Sequence, residues 1–512
     1  MWPKATRVVR DVVLACDLGG TSLRVALVDA SGRILALQAV AMQHGTDRDG
    51  SSEIDPSIWW HVLRDCADAL ASREPSLWDC IAAVAVSAIT RSQVFVGREG
   101  EAVRPAILWR DTRAEPMLAD IRRNAPADHP ETAGLSAFHP LSRLCWLKRE
   151  EPAAFAATAH VLEPKDWLNQ RLTGVTASDT VSMARLTATA SSHGGEPSLF
   201  AAAQLDPALI PPLLSPVSIM GRVRRGLPGA LGRIAGVPVA TMANDTWASV
   251  VGLGAMRPGL GYNLSGTTEV LGIASGAQAK TEGLLSVDWS GGPAAGKIWQ
   301  LGGPSQSGGD TAAWFVGLAE GAAADPQRAG EVLEALLSAP RDTDPVLFLP
   351  FLEGERTPYW DPSLRGAFLG LNRRHGQGDL AWAVLEGVAF LNRLVLERAE
   401  LAVGAPIAEL RFGGGGARNL RWRQIKADVL NRPVVCVPGD EHGLAGAAIA
   451  AFTALGRFPD LAAAQAALVG EGERYAPRPE ARGRYDELFA VFTDAQGAVA
   501  PLSHRLAACA AP

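Results

Sequence analysis

The chain has 512 residues, 47% apolar and 20% charged, with a formal net charge of −6. This composition excludes a disordered chain and leaves room for two to four domains of about 150 residues each. With no basic tail or block, nucleic acid is not expected as a partner. No apolar run nears the roughly 18 residues that span a bilayer. The N-terminal stretch MWPKATRVVRDVVLACD has no apolar signal core, so neither membrane nor secretion is expected. The cysteines, Cys16, Cys66, Cys80, Cys145, Cys436 and Cys509, form no C-x-x-C pair and no zinc spacing with histidine. They read as reduced, buried thiols of a cytoplasmic protein.

In chain order, a β-rich run at 12–15 reaches Asp17 and then Gly19, Gly20 and Thr21. A second run follows at 23–28 and, after a turn at 29–32, a third at 34–40. The pattern predicts an antiparallel meander. An Asp-Pro start signal opens a helix over 56–71, and 81–86 reads as a buried strand. Residues 110–235 are mixed, with apolar helical stretches broken by prolines. After about 380 helical patterns dominate, interrupted by a Gly-rich turn at 413–416. Beyond about 475 the chain is Ala-rich and sets no clear element.

The chain repeats itself. Asn263-Leu-Ser-Gly-Thr-Thr echoes Asp17-Leu-Gly-Gly-Thr-Ser. Leu264 matches Leu18, Gly266 matches Gly20, Thr267 matches Thr21, and Thr268 pairs with Ser22. Both copies read as strand, Gly-Thr turn, strand. Two copies nearly half a chain apart predict two domains of one plan, with a boundary near 250.

A net-acidic protein that binds a polyanion must grip it with backbone N–H groups, helix N-termini and a metal ion. A Gly-Thr turn can offer such N–H groups, and Thr21 and Ser22 add hydroxyls. The same turn is also an ordinary hairpin. It is neither a Walker A loop nor a dinucleotide fingerprint, because no G-K-[ST] occurs and a strand follows the glycines. Asp17 is wrong for direct phosphate contact and right for Mg²⁺. Four glycines at 413–416 leave no side chains, so a base or ribose can lie on the backbone; Asn419 reads as the N-cap of a helix over 420–430. Small residues at 443–450 read as a helix packed close to a neighbour. Asp245, in Asn244-Asp245-Thr246, suits either a helix cap or a general base.

These pieces, in this order, resemble the FGGY carbohydrate kinase family over about 12–450. The resemblance is carried by DLGGTSLRVALVD (17–29), EIDPSIWW (53–60), RPAILWRDTRA (104–114), EPKDWLNQRLTG (163–174) and ANDTWASVVGLGAMRPG (243–259). It continues in LFLPFLEGERTPYWDPSLRGAFLGL (347–371) and GGGGARNLRWRQIKADVLNRPV (413–434). It implies an α/β fold of two actin-like (ribonuclease-H-like) domains with an interdomain cleft. The N-terminal domain, 10–250, would take the sugar, and the C-terminal domain, 251–480, would take ATP. By the same resemblance Asp245 is the general base and also meets the substrate, and Asp17 serves Mg²⁺. Gly19, Gly20, Thr21, Ser22, Gly266 and Thr267 hold phosphates, and Gly414, Gly415 and Asn419 lie by the adenosine. Trp109 and Asp111 stand near the sugar. The pattern is most like that of xylulokinases, which implies transfer of the ATP γ-phosphoryl group to a pentulose such as D-xylulose. Glycerol, a tetritol or another sugar is the alternative, and an actin- or chaperone-like ATP switch is the rival from another class. A switch has no need of the sugar-side segments at 104–114 and 163–174. A homodimer is the assembly considered. One departure stands out. Arg91 occupies the place of the xylulokinase histidine, and Thr90-Arg91 does not reproduce the Arg-Glu pair of glycerol kinases. Its fixed donors suit sugar hydroxyls, a substrate carboxylate or a local acid.

Overall fold

The computed structural model describes residues 11–42, 47, 49–126, 129–132, 134–290, 296–320 and 326–509. Residues 1–10, part of the stretch read for a signal core, lie outside them. No helix among the described residues is long and apolar enough to cross a membrane. The chain divides into two compact units. The first gathers residues up to Gly252, a short stretch that begins at Trp289, and Gly443–Leu468; the second gathers the rest from Leu253 onward.

In the first unit β1 (Val12–Leu18), β2 (Ser22–Asp29) and β3 (Ile34–Ala41) form the expected meander. Helix α1 (Pro56–Arg73) starts where Asp55 Oδ1 accepts from Ser57 N and Pro56 supplies the first helical residue. Its stripe of Trp59, Leu63, Cys66, Ala67 and Leu70 is buried with Leu14, Cys16, Leu18, Leu23, Val25 and Leu27. Strand β4 (Ile81–Ala88) pairs in parallel with β1. Helices α2 (Pro140–Glu150) and α3 (Pro164–Thr173) follow. Then come β5 (Ile219–Arg222), β6 (Pro238–Ala240), which is parallel to β4, and helix α4 (Asp245–Gly252). The sheet order among the described residues is β5-β6-β4-β1-β2-β3.

The second unit repeats this plan. Its meander is β7 (Leu260–Ser265), β8 (Glu269–Ser275) and β10 (Trp299–Pro304), with β9 (Leu285–Asp288) added at the edge. Helix α5 (Gly309–Glu320) and the long α6 (Gln377–Val403) precede β11 (Glu409–Gly413), which pairs in parallel with β7. Helix α7 (Leu420–Leu430), β12 (Val434–Cys436), α8 (His442–Ala454), β13 (Glu473–Tyr475) and α9 (Pro479–Cys509) complete the chain. The order is β9-β10-β8-β7-β11-β12-β13. Each unit is therefore an antiparallel meander, two strands added in parallel, and an antiparallel edge strand.

The two hairpins differ by one residue. In the first, Leu18 faces Leu23 and Gly19 N donates to Ser22 O, which leaves Gly20 and Thr21 at the tip. In the second, Ser265 faces Glu269, so Gly266, Thr267 and Thr268 form a three-residue tip. The sequence match of Ser22 with Thr268 is thereby corrected. Glu269 holds the register position of Ser22.

Residues 443–454 of α8 belong to the first unit. Leu444, Ala447, Ala448, Ala451 and Phe452 cover the face of its sheet formed by Val13, Ala15, Ala26, Val28, Ala83 and Ala85. This burial on both faces explains why all of β1 is inaccessible. The small residues serve close approach, as the sequence suggests. A Cβ on Gly446 would lie 1.8 Å from Ala248 O in α4. Gly446→Ala is expected to cost about 1–3 kcal/mol through overpacking, read as a lower urea midpoint. The stretch beyond 475, read as setting no element, is instead the 31-residue α9. Its Tyr485, Phe489 and Phe492, spaced for one helix face, are buried in the core of the second unit.

Candidate active site

In the first unit Asp17 lies near the end of β1 and is only 5% exposed. Its neighbours are set by sheet register. Ser87, across from it on β4, donates from Oγ to Asp17 Oδ1 at 2.8 Å. Arg24, across from it on β2, brings Nη2 to 3.2 Å from Oδ2. At the adjoining tip Thr21 is exposed and Gly19 and Gly20 are partly so, while Ser22 begins β2. A Cβ on Gly20 would lie 3.6 Å from Trp109 Nε1, so the indole N–H stands over the turn. Trp109 is 38% exposed and stacks with the Arg110 guanidinium.

Asp245 begins α4. Its Oδ1 accepts from Thr246 N at 2.7 Å, and the Thr90 main-chain N–H also bonds to it. Asn244 Nδ2 donates to Thr90 Oγ1, which knits the start of α4 to the loop after β4. Burial, reinforced by the nearby charge of Asp17, pushes the Asp245 carboxyl up to about 7. Two carboxylates thus share one neighbourhood. On the α8 side Gly443 makes room for Asp17, since a Cβ there would lie 2.9 Å from its Oδ2. A base of this kind is active only when ionised. The acidic limb of kcat/KM is therefore expected near pH 7, activity falling as pH drops through it, rather than near pH 4 as for an ordinary aspartate; a pH–rate profile checks this.

Among the described residues no three His, Cys, Asp or Glu side chains gather as a metal site. Mg²⁺ takes one or two carboxylates plus water and phosphate oxygens rather than a protein cage. Asp17 is a carboxylate of the kind such an ion takes.

The remaining sugar-side residues separate. Asp111 is buried; Ser52 N and Arg113 N donate to it, and the Arg113 guanidinium forks onto both of its oxygens. These bonds tie its segment to the chain at Ser52. Arg91 sits at φ 55°, a strained conformation for a side chain of its size and one concentrated at functional sites. Its carbonyl accepts from the buried Arg143, which also donates to Gln93 Oε1 and Leu108 O. Arg143 thereby ties the loop that carries Arg91 to the one that carries Trp109. Cavities of about 430 and 410 Å³ lie elsewhere, around Asn124, and none of these site residues lines them.

In the second unit Gly266 and Thr267 are exposed at the hairpin tip. The start of α5 seats the tip: Gly309 N donates to Gly266 O at 2.9 Å and Asp310 N to Thr267 O at 3.0 Å. The Gly-rich turn lies beside it. Gly414 has φ 88°, and a Cβ there would strike Ser265 O at 2.5 Å. Gly415 faces open space. Asn419 caps α7, its Oδ1 accepting from Trp422 N at 2.9 Å, so that oxygen is already engaged. Arg356 reaches Ser305 O and, at 3.4 Å, Thr268 Oγ1, while Glu355 accepts from Ser305, Gln306 and Ser307. The 347–371 segment thus braces the hairpin.

Sequence reasoning missed Arg24, Ser87, Gly443, the Gly308–Asp310 helix start and Arg356. For Arg24 a signal was present: with a two-residue tip, it must face Asp17 across the hairpin.

Two ribonuclease-H-like units, each opened by a Gly-Thr hairpin, define the actin-like class of nucleotide-using folds. The chain belongs to the FGGY family of carbohydrate kinases: the model of the family's N-terminal domain matches residues 12–252, and that of its C-terminal domain matches 261–455. A xylulose kinase of Escherichia coli (strain K12) is 28% identical over 84% of this chain and 87% of its own. A glycerol kinase of Methylibium petroleiphilum is 32% identical over 87% and 91%. The crystal structure of a xyloylose kinase from Brucella ovis, 28% identical, superposes with a TM-score of 0.85 over 96% of this chain and all of that one. The protein is an ATP-dependent sugar kinase, not a switch without a sugar substrate.

Proposed function

We propose that the enzyme transfers the γ-phosphoryl group of ATP to a terminal hydroxyl of a small ketose or polyol, with a pentulose such as D-xylulose as the first choice. The observation that carries the reading is the Asp17–Asp245 pair, with Asp245 set near pH 7 at the start of α4. Asp245 accepts the proton of the attacking hydroxyl. Asp17 would hold Mg²⁺, with Arg24 and Ser87 fixing its carboxylate. When bound, the ion neutralises phosphate charge. Trp109 and Arg91 orient the acceptor, and the N–H groups around Gly20 reach phosphate oxygens. In the second unit, Gly266 and Thr267 grip phosphate, and Gly414 and Gly415 admit the adenosine part. A cytoplasmic setting and a homodimer go with this reading.

The pentulose choice draws on the xylulose kinase of E. coli, which covers most of the chain. Glycerol or a tetritol is the second reading, favoured by the 32% identity to a glycerol kinase and by Arg91 in place of the histidine. A coupled ADP-release screen over pentuloses, hexuloses, tetritols and glycerol tests both. One acceptor should raise ADP release sharply above the sugar-free rate. A flat panel overturns the proposal, and a response to glycerol or a tetritol alone selects the second reading.

A further inference from the structure

The first unit holds another buried carboxyl in the electrostatic neighbourhood of Asp245. Glu163 follows the short strand His160–Leu162 and leads into α3. That strand is antiparallel to Val94–Val96, with Leu162 facing Val94. Continued by one residue beyond its last pair, the same register would set Glu163 opposite Gln93, two residues from Arg91, with the Ser92 side chain turned to the other face. Residues in register in an antiparallel pair direct their side chains to one face. Gln93 is already engaged by Arg143.

Glu163 is 6% exposed, and its Oε2 is buried without a hydrogen-bond partner. Lys165, two residues along, does not fill the gap, because its Nζ bonds Asp166 and Asp179 at 2.6 Å each. Burial pushes the Glu163 carboxyl well above the ordinary range; Lys165 opposes this, while the charges of Asp166, Asp179 and Asp245 add to it. A neutral carboxyl offers one O–H to give and an oxygen to receive. A buried polar group without a partner costs about 1–3 kcal/mol, and a ligand that supplies the partner recovers that cost on binding. A polyol carries hydroxyls that both donate and accept, which is the chemistry that the Glu163 carboxyl lacks at Oε2.

We infer that Glu163 binds a hydroxyl of the acceptor other than the one that Asp245 deprotonates, and so selects which polyols the enzyme accepts. This rests on the kinase reading above. The assignment adds a specificity-determining carboxyl to the first unit and gives EPKDWLNQRLTG a part in substrate choice.

The test starts from the wild-type enzyme and the acceptor that the ADP-release screen identifies. Glu163→Leu is expected to raise the acceptor KM by about 10–100-fold, with a smaller change in kcat and none in the KM for ATP. Glu163→Gln, which keeps a donor and an acceptor, should stay close to wild type. Acceptor analogues that each lack one hydroxyl then separate recognition from structure. For one analogue, wild type and Glu163→Leu should perform alike, because the contact is missing from both. An unchanged acceptor KM in Glu163→Leu, or the same loss with every analogue, overturns the inference. If Glu163→Leu does not fold, Glu163→Asp, which withdraws the acid by one methylene, takes the same analogue series with the same two outcomes. Failure of the wild type to use any acceptor of the panel would instead overturn the proposed acceptor class, and this inference with it.

Discussion

Asp245→Asn is expected to lower kcat by about 10²–10⁴-fold while leaving the KM for ATP nearly unchanged. The amide keeps the shape of the carboxylate, and its oxygen can still accept from Thr246 N and Thr90 N. What is lost is the capacity to take a proton. The same variant is expected to be more stable than wild type at pH 8. The sign follows from linkage. The folded-state pKa of Asp245 is raised above its unfolded value, so its contribution to stability is present below about pH 4 and is lost as pH rises through about 7. Above that pH the folded enzyme holds an ionised Asp245 next to Asp17, and the asparagine removes this repulsion. Thermal melts at pH 5 and pH 8 test the point, with the gain confined to the higher pH. A variant that keeps most of its acceptor-dependent turnover would remove Asp245 from the role of base. Equal melting shifts at both pH values would point to packing in place of charge.

Much of the fold was legible because the strongest local signals agree with the tertiary structure. The β-runs flanking Gly19–Thr21 could only be a hairpin, and the repeat at Asn263 extended that plan to the second unit. Helices α1 and α7 were legible from their caps, Asp55 and Asn419, together with their apolar spacing. The less legible features depend on partners distant in sequence. The one-residue difference between the hairpins follows from strand register, and register is not written in the turn residues. The proximity of Ser87 to Asp17 exists only because β4 lies alongside β1. The small residues of α8 announced close packing, but not that Gly446 would meet Ala248, nearly two hundred positions earlier. Asp111 illustrates the opposite limit. Its place beside Trp109 suggested substrate, yet Arg113, two residues on, claims both of its oxygens. A local ion pair is as compatible with that spacing as a ligand contact.

Lys426→Met is expected to destabilise the second unit by about 3–5 kcal/mol, the cost of leaving a buried charge without its partner. Lys426 and Glu269 are both fully buried, and Nζ lies 2.9 and 3.1 Å from the two Glu269 oxygens. Asn392 Oδ1 accepts from the same ammonium, Asn263 Nδ2 donates to Glu269 at 3.2 Å, and the ammonium lies over the rings of Phe412 and Trp422. Methionine fills a similar volume, so the loss measures the ionic network more than a cavity. Glu269 is the residue at which the three-residue tip rejoins β8, so the network anchors the hairpin that presents Gly266 and Thr267. Two readouts therefore move together. The urea midpoint should fall, and the KM for ATP should rise more than that of the acceptor. Adding Glu269→Gln should recover much of the lost stability, because no charge then remains buried. A double variant no more stable than Lys426→Met would mean that the pair is held for its packing. A fall in stability with an unchanged KM for ATP would detach the network from the hairpin and leave the tip to the start of α5 alone.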